Sequence, residues 1–393
     1  MSDFGRFTLP YGSFTVPGER RRRVGVAVDE HVLDLTSAAA VVVPRHAELF
    51  ARGTLDAFLA TGPETWHHVR EALLEWVGDD THQHVVEKHL VDRDQVQLAV
   101  PFTIGDYVDF YASEQHASNV GRIFRPDSEP LTPNWKHLPI GYHGRSGTIF
   151  ESGTAIRRPH GQRREAGGAI EFGPSTRLDI EAEVGFVVGG KPTVGQAIGL
   201  DDADRHLFGM CLVNDWSARD IQAWEYVPLG PFLGKSFATS MSSWIVPIQA
   251  LEAVRVPPPP RTHALAAYLD DSDTDPWGLD IQLQVSLNGT TISRPPFNTM
   301  YWTAAQMLAH MTVNGAGTRP GDFFASGTVS GNGPTERGSL LELSWNGQEP
   351  LSLDDGSTRA FLLDGDTVTI DAVAADPDGR RLWLGEVTGT VTA

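Results

Sequence analysis

The stretch from Met210 to Thr239 limits the possible folds more than any other. Met210-Cys-Leu-Val213 is short and wholly apolar, which reads as a strand buried on both faces. Asn214 and Asp215 end it. A short helix is expected next, with Asp215 or Ser217 as its N-cap, Asp220 in its first turn and Pro228 as its stop. Asp215, Arg219, Gln222 and Tyr226 fall at i, i+4, i+7 and i+11, so they share one helix face. A helix packed on a core would be apolar there. This face carries a carboxylate, a guanidinium, an amide and a phenol. Taken alone, the stripe also fits a solvated face with an Asp215–Arg219 ion pair, which would contribute little.

With 393 residues the chain can bury a large core and form two domains. Its 50 acidic and 31 basic residues give a net charge of −19. That balance speaks against nucleic acid and anionic membranes, which need a basic face, and leaves room for a cation. The single cysteine, Cys211, leaves no internal disulfide and lies in the apolar run, as a buried inert thiol does. No apolar run reaches the roughly 18 residues of a membrane span, and Met1 to Pro10 lacks the character of a signal peptide. The expected location is the cytoplasm.

Residues 1–97 read as a separate N-terminal domain, with strands over 23–28 and 32–35 and helical spacing over 44–77. Nothing in it groups titratable residues for chemistry. Residues 98–393 form the second domain, mostly strands. In it Asp109 and Tyr111 alternate around Phe110 and point the same way on a strand. His116 then opens a helix, and Arg125 follows. The loop-rich stretch 130–168 carries Tyr142, and loops of that length are more often functional than idle. Leu178 to Val188 reads as one strand, with Ile180, Ala182 and Val184 on one face and Asp179, Glu181 and Glu183 on the other. Neighbouring carboxylates on one face repel unless water or a cation intervenes. Further on, Ala264–Leu269 reads as a short helix in a surface excursion over 257–278. Ile281–Leu287 enters a hairpin at Asn288-Gly289, and Met300–Met311 is a helix. Ser326 to Gly331 is a glycine-rich turn that presents Thr328. Leu341 to Trp345 alternates as a strand with Glu342 on its outer face. Gly230 to Ser236 is one residue too short for a phosphate-binding loop, and Asp271 to Asp275 lacks the glycine of a calcium loop.

Asp109, Glu181, Glu183 and Asp215 lie at strand positions or strand ends. All-oxygen ligation selects Mg²⁺ or Ca²⁺, and no zinc-type Cys/His set exists. Around them stand a base (His116), cations (Arg125, Arg219, Lys235), donors (Gln222, Tyr111, Tyr142) and a spare carboxylate (Glu342). That set suits polarising a carbonyl, activating water and holding an oxyanion.

Five motifs now combine. They are Asp109-Phe-Tyr-x₄-His116, Pro139-Ile-Gly-Tyr-His-Gly-Arg145, Leu178-Asp-Ile-Glu-Ala-Glu183, Asn214-Asp-Trp-Ser-Ala-Arg-Asp-Ile-Gln222 and Pro228-Leu-Gly-Pro-Phe-Leu-Gly-Lys-Ser236. Together with Leu9-Pro-Tyr-Gly12 they resemble the fumarylacetoacetate hydrolase family nearly end to end. The resemblance implies a mainly β fold with some α. A small N-terminal SH3-like barrel (1–97) would precede a C-terminal mixed β-roll (98–393), and the chain would form a homodimer. It implies hydrolytic C–C cleavage of a small β-diketo acid, fumarylacetoacetate, in tyrosine and phenylalanine catabolism. Asp109, Glu181, Glu183 and Asp215 would hold Ca²⁺ or Mg²⁺, with Lys235 and Thr239 around the metal. His116, oriented by Glu342, would take a proton from water. Arg219, Gln222 and Lys235 would form the oxyanion hole. Tyr111, Arg125, Tyr142, Gln222, Tyr226 and Thr328 would contact the substrate. Two alternatives stay open: a related acylpyruvate hydrolase or oxaloacetate decarboxylase, and a non-catalytic protein whose carboxylates and metal serve only the fold.

Overall fold

The computed structural model describes residues 4–393. Its centre is the strand Leu207–Asp215, buried at every position. Leu207, Met210 and Leu212 point into one core, and Phe208, Cys211 and Val213 into another, so an unbroken apolar run is what this strand requires. On one side it pairs antiparallel with Ala182–Val188. Phe323–Ala325, Tyr107–Phe110 and Gly141–His143 follow in that order. On the other side lies Trp244–Pro247, which pairs with Tyr11–Thr15. Arg23–Val28, His31–Asp34 and Leu90–Asp92 continue from there. All belong to one 13-stranded sheet. A second sheet of five strands is built on Ile281–Leu287, Thr367–Ala375 and Arg381–Thr392. The result is a mixed α/β molecule rich in sheet, and among the described residues no helix is long and apolar enough to cross a membrane.

The N-terminal strands do not close into a barrel. Tyr11–Thr15 also pairs with Gln97–Ala99, but the ladder stays open, and Tyr11↔Ile245 joins it to the larger sheet. The helix Pro63–Gly78 covers this region, with Trp66, Val69 and Leu73 packed in the same core as Phe208 and Val213. The hairpin at Asn288-Gly289 forms as expected, with φ of 51° and 84°.

Five local expectations need correction. Leu341 to Trp345 is not a strand. Leu340–Leu343 is a helical turn, N-capped by Ser339, and Trp345, Asn346 and Gly347 all have positive φ, which no strand continues. Ala264–Leu269 does not form a helix; a single turn there closes from the Leu269 amide to the Ala266 carbonyl. The helix expected from Met300 starts at Ala304, where Thr303 and Gln306 form a capping box. After the central strand the helix begins at Arg219, not at Asp215 or Ser217. Ser217 and Ala218 are held extended by pairing with Asp179 and Leu178, and the helix ends at Glu225. Likewise the strand expected over 178–188 is interrupted at Ile180 and Glu181.

Candidate active site

Strand pairing gathers the carboxylates. Glu183 lies opposite Val213, two residues before Asp215, and Asp215 lies opposite Thr239. Asp109, next to last in the strand Tyr107–Phe110, lies between Ala325 and Tyr142. Asp109, Glu181, Glu183 and Asp215 are all buried, and each offers an oxygen within 4.8 Å of the others, so the group could hold a metal ion. Buried polar atoms are nearly always hydrogen-bonded. Here neither Glu183 oxygen has a partner among the described residues, nor has Asp109 Oδ1. Burial, then the charges of Asp109 and Asp215, push the Glu183 carboxyl well above its ordinary range. Asp109 is pushed up by burial and by Asp215. Orphaned oxygens facing like charges are what a hard cation would satisfy, so the residues fit Mg²⁺ or Ca²⁺.

The same shifts predict how metal-free protein responds to pH. Folded Asp109, Glu183 and Asp215, all raised, keep protons that an unfolded chain gives up near about pH 4. The folded state then binds more protons than the unfolded one, so stability falls as pH rises above that range. Chelated protein should therefore melt progressively lower, relative to metal-loaded protein, as pH increases from about 5. Melting curves that stay parallel across this range would contradict the metal assignment.

Lys235 donates to Glu181 and, at 2.6 Å, to Asp215, while Thr239 donates to Asp215 at 3.0 Å. Both thus border the cluster through Asp215 and position it. Burial works against the Lys235 charge, but Asp215 and Glu181 hold its pKa above the usual lysine value. Glu181 is held low: burial opposes ionisation, and Lys235 and Arg219 outweigh it. Arg219 does not pair with Asp215. Its Nε donates to Asp179 at 2.8 Å, its Nη2 to Glu181 at 2.7 Å and its Nη1 to Gln222 Oε1 at 3.2 Å. With its oxygen so engaged, Gln222 keeps its NH₂ as the free donor.

His116 sits near the start of the helix Glu114–Phe124, capped by Ser113. Its Nδ1 donates to Glu342 Oε2 at 2.6 Å, and its Nε2 lies 3.8 Å from Glu181. Glu342 also accepts from Asn119 Nδ2 at 2.9 Å and from the hydroxyls of Ser330 and Ser339. Burial alone would raise the Glu342 carboxyl, but His116 and these donors hold it below its usual range. The tautomer that follows leaves Nε2 free to accept a proton.

A cavity of about 410 Å³ opens beside these groups. Every residue expected to meet substrate lines it: Tyr111, Arg125, Tyr142, Gln222, Tyr226 and Thr328. Asp109, His116, Glu181, Arg219 and Lys235 line it too. Tyr142 donates to Asp109 at 2.8 Å and to Asp215 at 3.3 Å, tying the cavity wall to the cluster. The Thr328 hydroxyl is buried without a partner among the described residues. Arg125 donates to the Pro130 carbonyl at 3.1 Å, and Tyr226 stands half-exposed at the rim. Sequence reasoning missed Asn119, Ser330 and Ser339. It placed Asp179 on the face of Glu181 and Glu183, but Asp179 is outside the group of four.

Residues 8–101 match the family model "Fumarylacetoacetase N-terminal", and residues 107–392 match "Fumarylacetoacetate (FAA) hydrolase C-terminal". Fumarylacetoacetase of Homo sapiens is 44% identical over 408 residues, covering 99% of this chain and 96% of that protein. That of Arabidopsis thaliana is 41% identical over 405 residues, with the same two coverages. Among solved structures, the fumarylacetoacetate hydrolase of psychrophilic Exiguobacterium antarcticum superposes with a TM-score of 0.54 at 16% identity, covering 98% of this chain and 99% of that one. The maleylpyruvate hydrolase of Sphingobium gives 0.53 at 13% over the same shares. At such identities the two structures establish the fold alone. The full-length relatives and both family models establish more: the chain belongs to the fumarylacetoacetate hydrolase family.

Proposed function

We propose that the chain is a fumarylacetoacetase, which hydrolyses a C–C bond of fumarylacetoacetate to give fumarate and acetoacetate in tyrosine and phenylalanine breakdown. The observation that carries this reading is the end-to-end match to relatives of that name, N-terminal segment included. Asp109, Glu181, Glu183 and Asp215 would hold a Ca²⁺ or Mg²⁺, which supplies Lewis-acid polarisation of the substrate's keto oxygens when bound. The chain's own residues do the rest. His116 Nε2 takes a proton from water, and Glu342 stabilises the imidazolium through Nδ1. Arg219, Gln222 and Lys235 donate to the oxygen that gains charge as the carbonyl becomes tetrahedral. Tyr111, Arg125, Tyr142, Gln222, Tyr226 and Thr328 bind and orient the β-diketo acid. The segments 1–97 and 98–393 serve as N-terminal and catalytic domains of a cytoplasmic homodimer.

Glu181 and Asp215 hold the Lys235 ammonium in place, and its donation to the oxyanion is made only in the transition state. Lys235→Met should therefore lower kcat by roughly 10²–10³ with little change in KM. A variant with only a raised KM would remove Lys235 from the oxyanion hole. The competing reading is a family member acting on other keto acids, since a maleylpyruvate hydrolase shares the fold. Comparing kcat/KM for fumarylacetoacetate, an acylpyruvate and oxaloacetate decides between them. Fumarylacetoacetate should be preferred, and faster turnover of either competitor would overturn the assignment.

A further inference from the structure

We propose that Asp179 is a positioning residue that sets both Arg219 and the turn bearing Glu342. This rests on the reading of Arg219 as an oxyanion donor and of Glu342 as the partner of His116. The Asp179 carboxylate is fully buried and receives four hydrogen bonds. Oδ1 accepts from the backbone amides of Ile180 and Leu340, each at 2.7 Å. Oδ2 accepts from the Leu341 amide at 3.0 Å and from Arg219 Nε at 2.8 Å. A carboxylate offers about four lone-pair sites, so Asp179 keeps none for metal or substrate.

Each contact fixes a different half of the machinery. Asp179 takes the Nε edge of Arg219, which leaves the Nη edge for Glu181, Gln222 and the cavity. A planar guanidinium gripped at Nε by one carboxylate and at Nη2 by another is fixed in orientation. On the other side, Leu340 and Leu341 open the turn Leu340–Leu343, whose first amides have no partner within the turn. Asp179 takes those two amides, and the Ser339 hydroxyl takes that of Glu342. The carboxylate of Glu342 therefore meets His116 from a turn that Asp179 holds by its backbone.

The test is Asp179→Asn in the full-length, metal-loaded protein. An amide nearly matches the carboxylate in shape, but it replaces one acceptor with a donor that faces N–H groups. Misplacement by about 1 Å costs on the order of 10²-fold, so kcat should fall by about that factor, with KM changed less than about threefold. Metal content should stay at the wild-type level, because Asp179 is not among the four clustered carboxylates. In an Arg219→Lys background, which lacks Nε, the same change should cost less, with the part that remains acting through the Glu342 turn, and crystals of Asp179→Asn should show the guanidinium off Glu181 and Gln222. Unchanged kcat, or penalties that multiply in full in the double variant, would overturn the proposal. Wild-type protein inert toward fumarylacetoacetate would defeat the functional reading instead. The crystal position of Arg219 and of the turn would still decide the structural role. If Asp179→Asn does not fold, Asp179→Glu serves: it should bind metal and remain slow, and wild-type turnover would overturn the proposal. Failure of both variants to fold would make Asp179 a folding residue only and also end the proposal.

Discussion

Glu183→Ala should lose tight divalent-cation binding and turnover together, by about three orders of magnitude in kcat. A bound cation is worth several kcal/mol of charge stabilisation, and each 1.36 kcal/mol is about tenfold in rate. Glu183 is the sharpest choice because it has no other employment. Both its oxygens are buried and lack hydrogen-bond partners among the described residues. Removing it also rids the metal-free fold of two buried oxygens that nothing satisfies. A fold-only carboxylate cluster predicts that the variant gains stability in the absence of metal. The catalytic reading predicts this gain too, but with activity gone. Calorimetric titration with Mg²⁺ and Ca²⁺, alongside kcat, separates the two. Full turnover without bound metal would refute the cofactor assignment.

His116→Ala and Glu342→Ala should each lower kcat by about 10²–10⁴. The double variant should be little worse than His116→Ala, because Glu342 acts only through the ring that it contacts at 2.6 Å. The two groups are set by different elements, a capped helix and a capped turn, so either alanine leaves the other element in place. Glu342→Gln is the finer probe. It keeps the hydrogen bonds from Asn119 or the serines in part but removes the charge that stabilises an imidazolium. Independent, multiplying losses in His116→Ala/Glu342→Ala would mean that Glu342 has a separate task.

Much of the site was legible because it sits where apolar strands end in polar residues. Met210 to Val213 could only be a strand buried on both faces, and Asp215 closes it. Arg219, Gln222 and Tyr226 share a helix face that lines the cavity, although Asp215 belongs to the strand before that helix. The roles of Glu342 and Thr328 came through family resemblance, since spacing alone placed Glu342 on a strand. Leu341-Glu-Leu343 alternates in sequence, yet all three residues are buried, so alternation carried no information about the backbone. What makes it a turn is Ser339 nearby and Asp179, 161 residues away from Leu340. The task of Asp179 was hidden for the same reason: its partners lie far along the chain. The open N-terminal ladder likewise depends on a pairing, Tyr11 with Ile245, that no local pattern announces.

The most direct measurement is product analysis of fumarylacetoacetate incubated with purified protein, with Mg²⁺ or Ca²⁺ and then with excess chelator. The expected result is fumarate and acetoacetate in equal amounts, each formed only with metal present and restored when metal is returned. Intact fumarylacetoacetate in the metal-loaded reaction, or equal rates with and without chelator, would contradict the account.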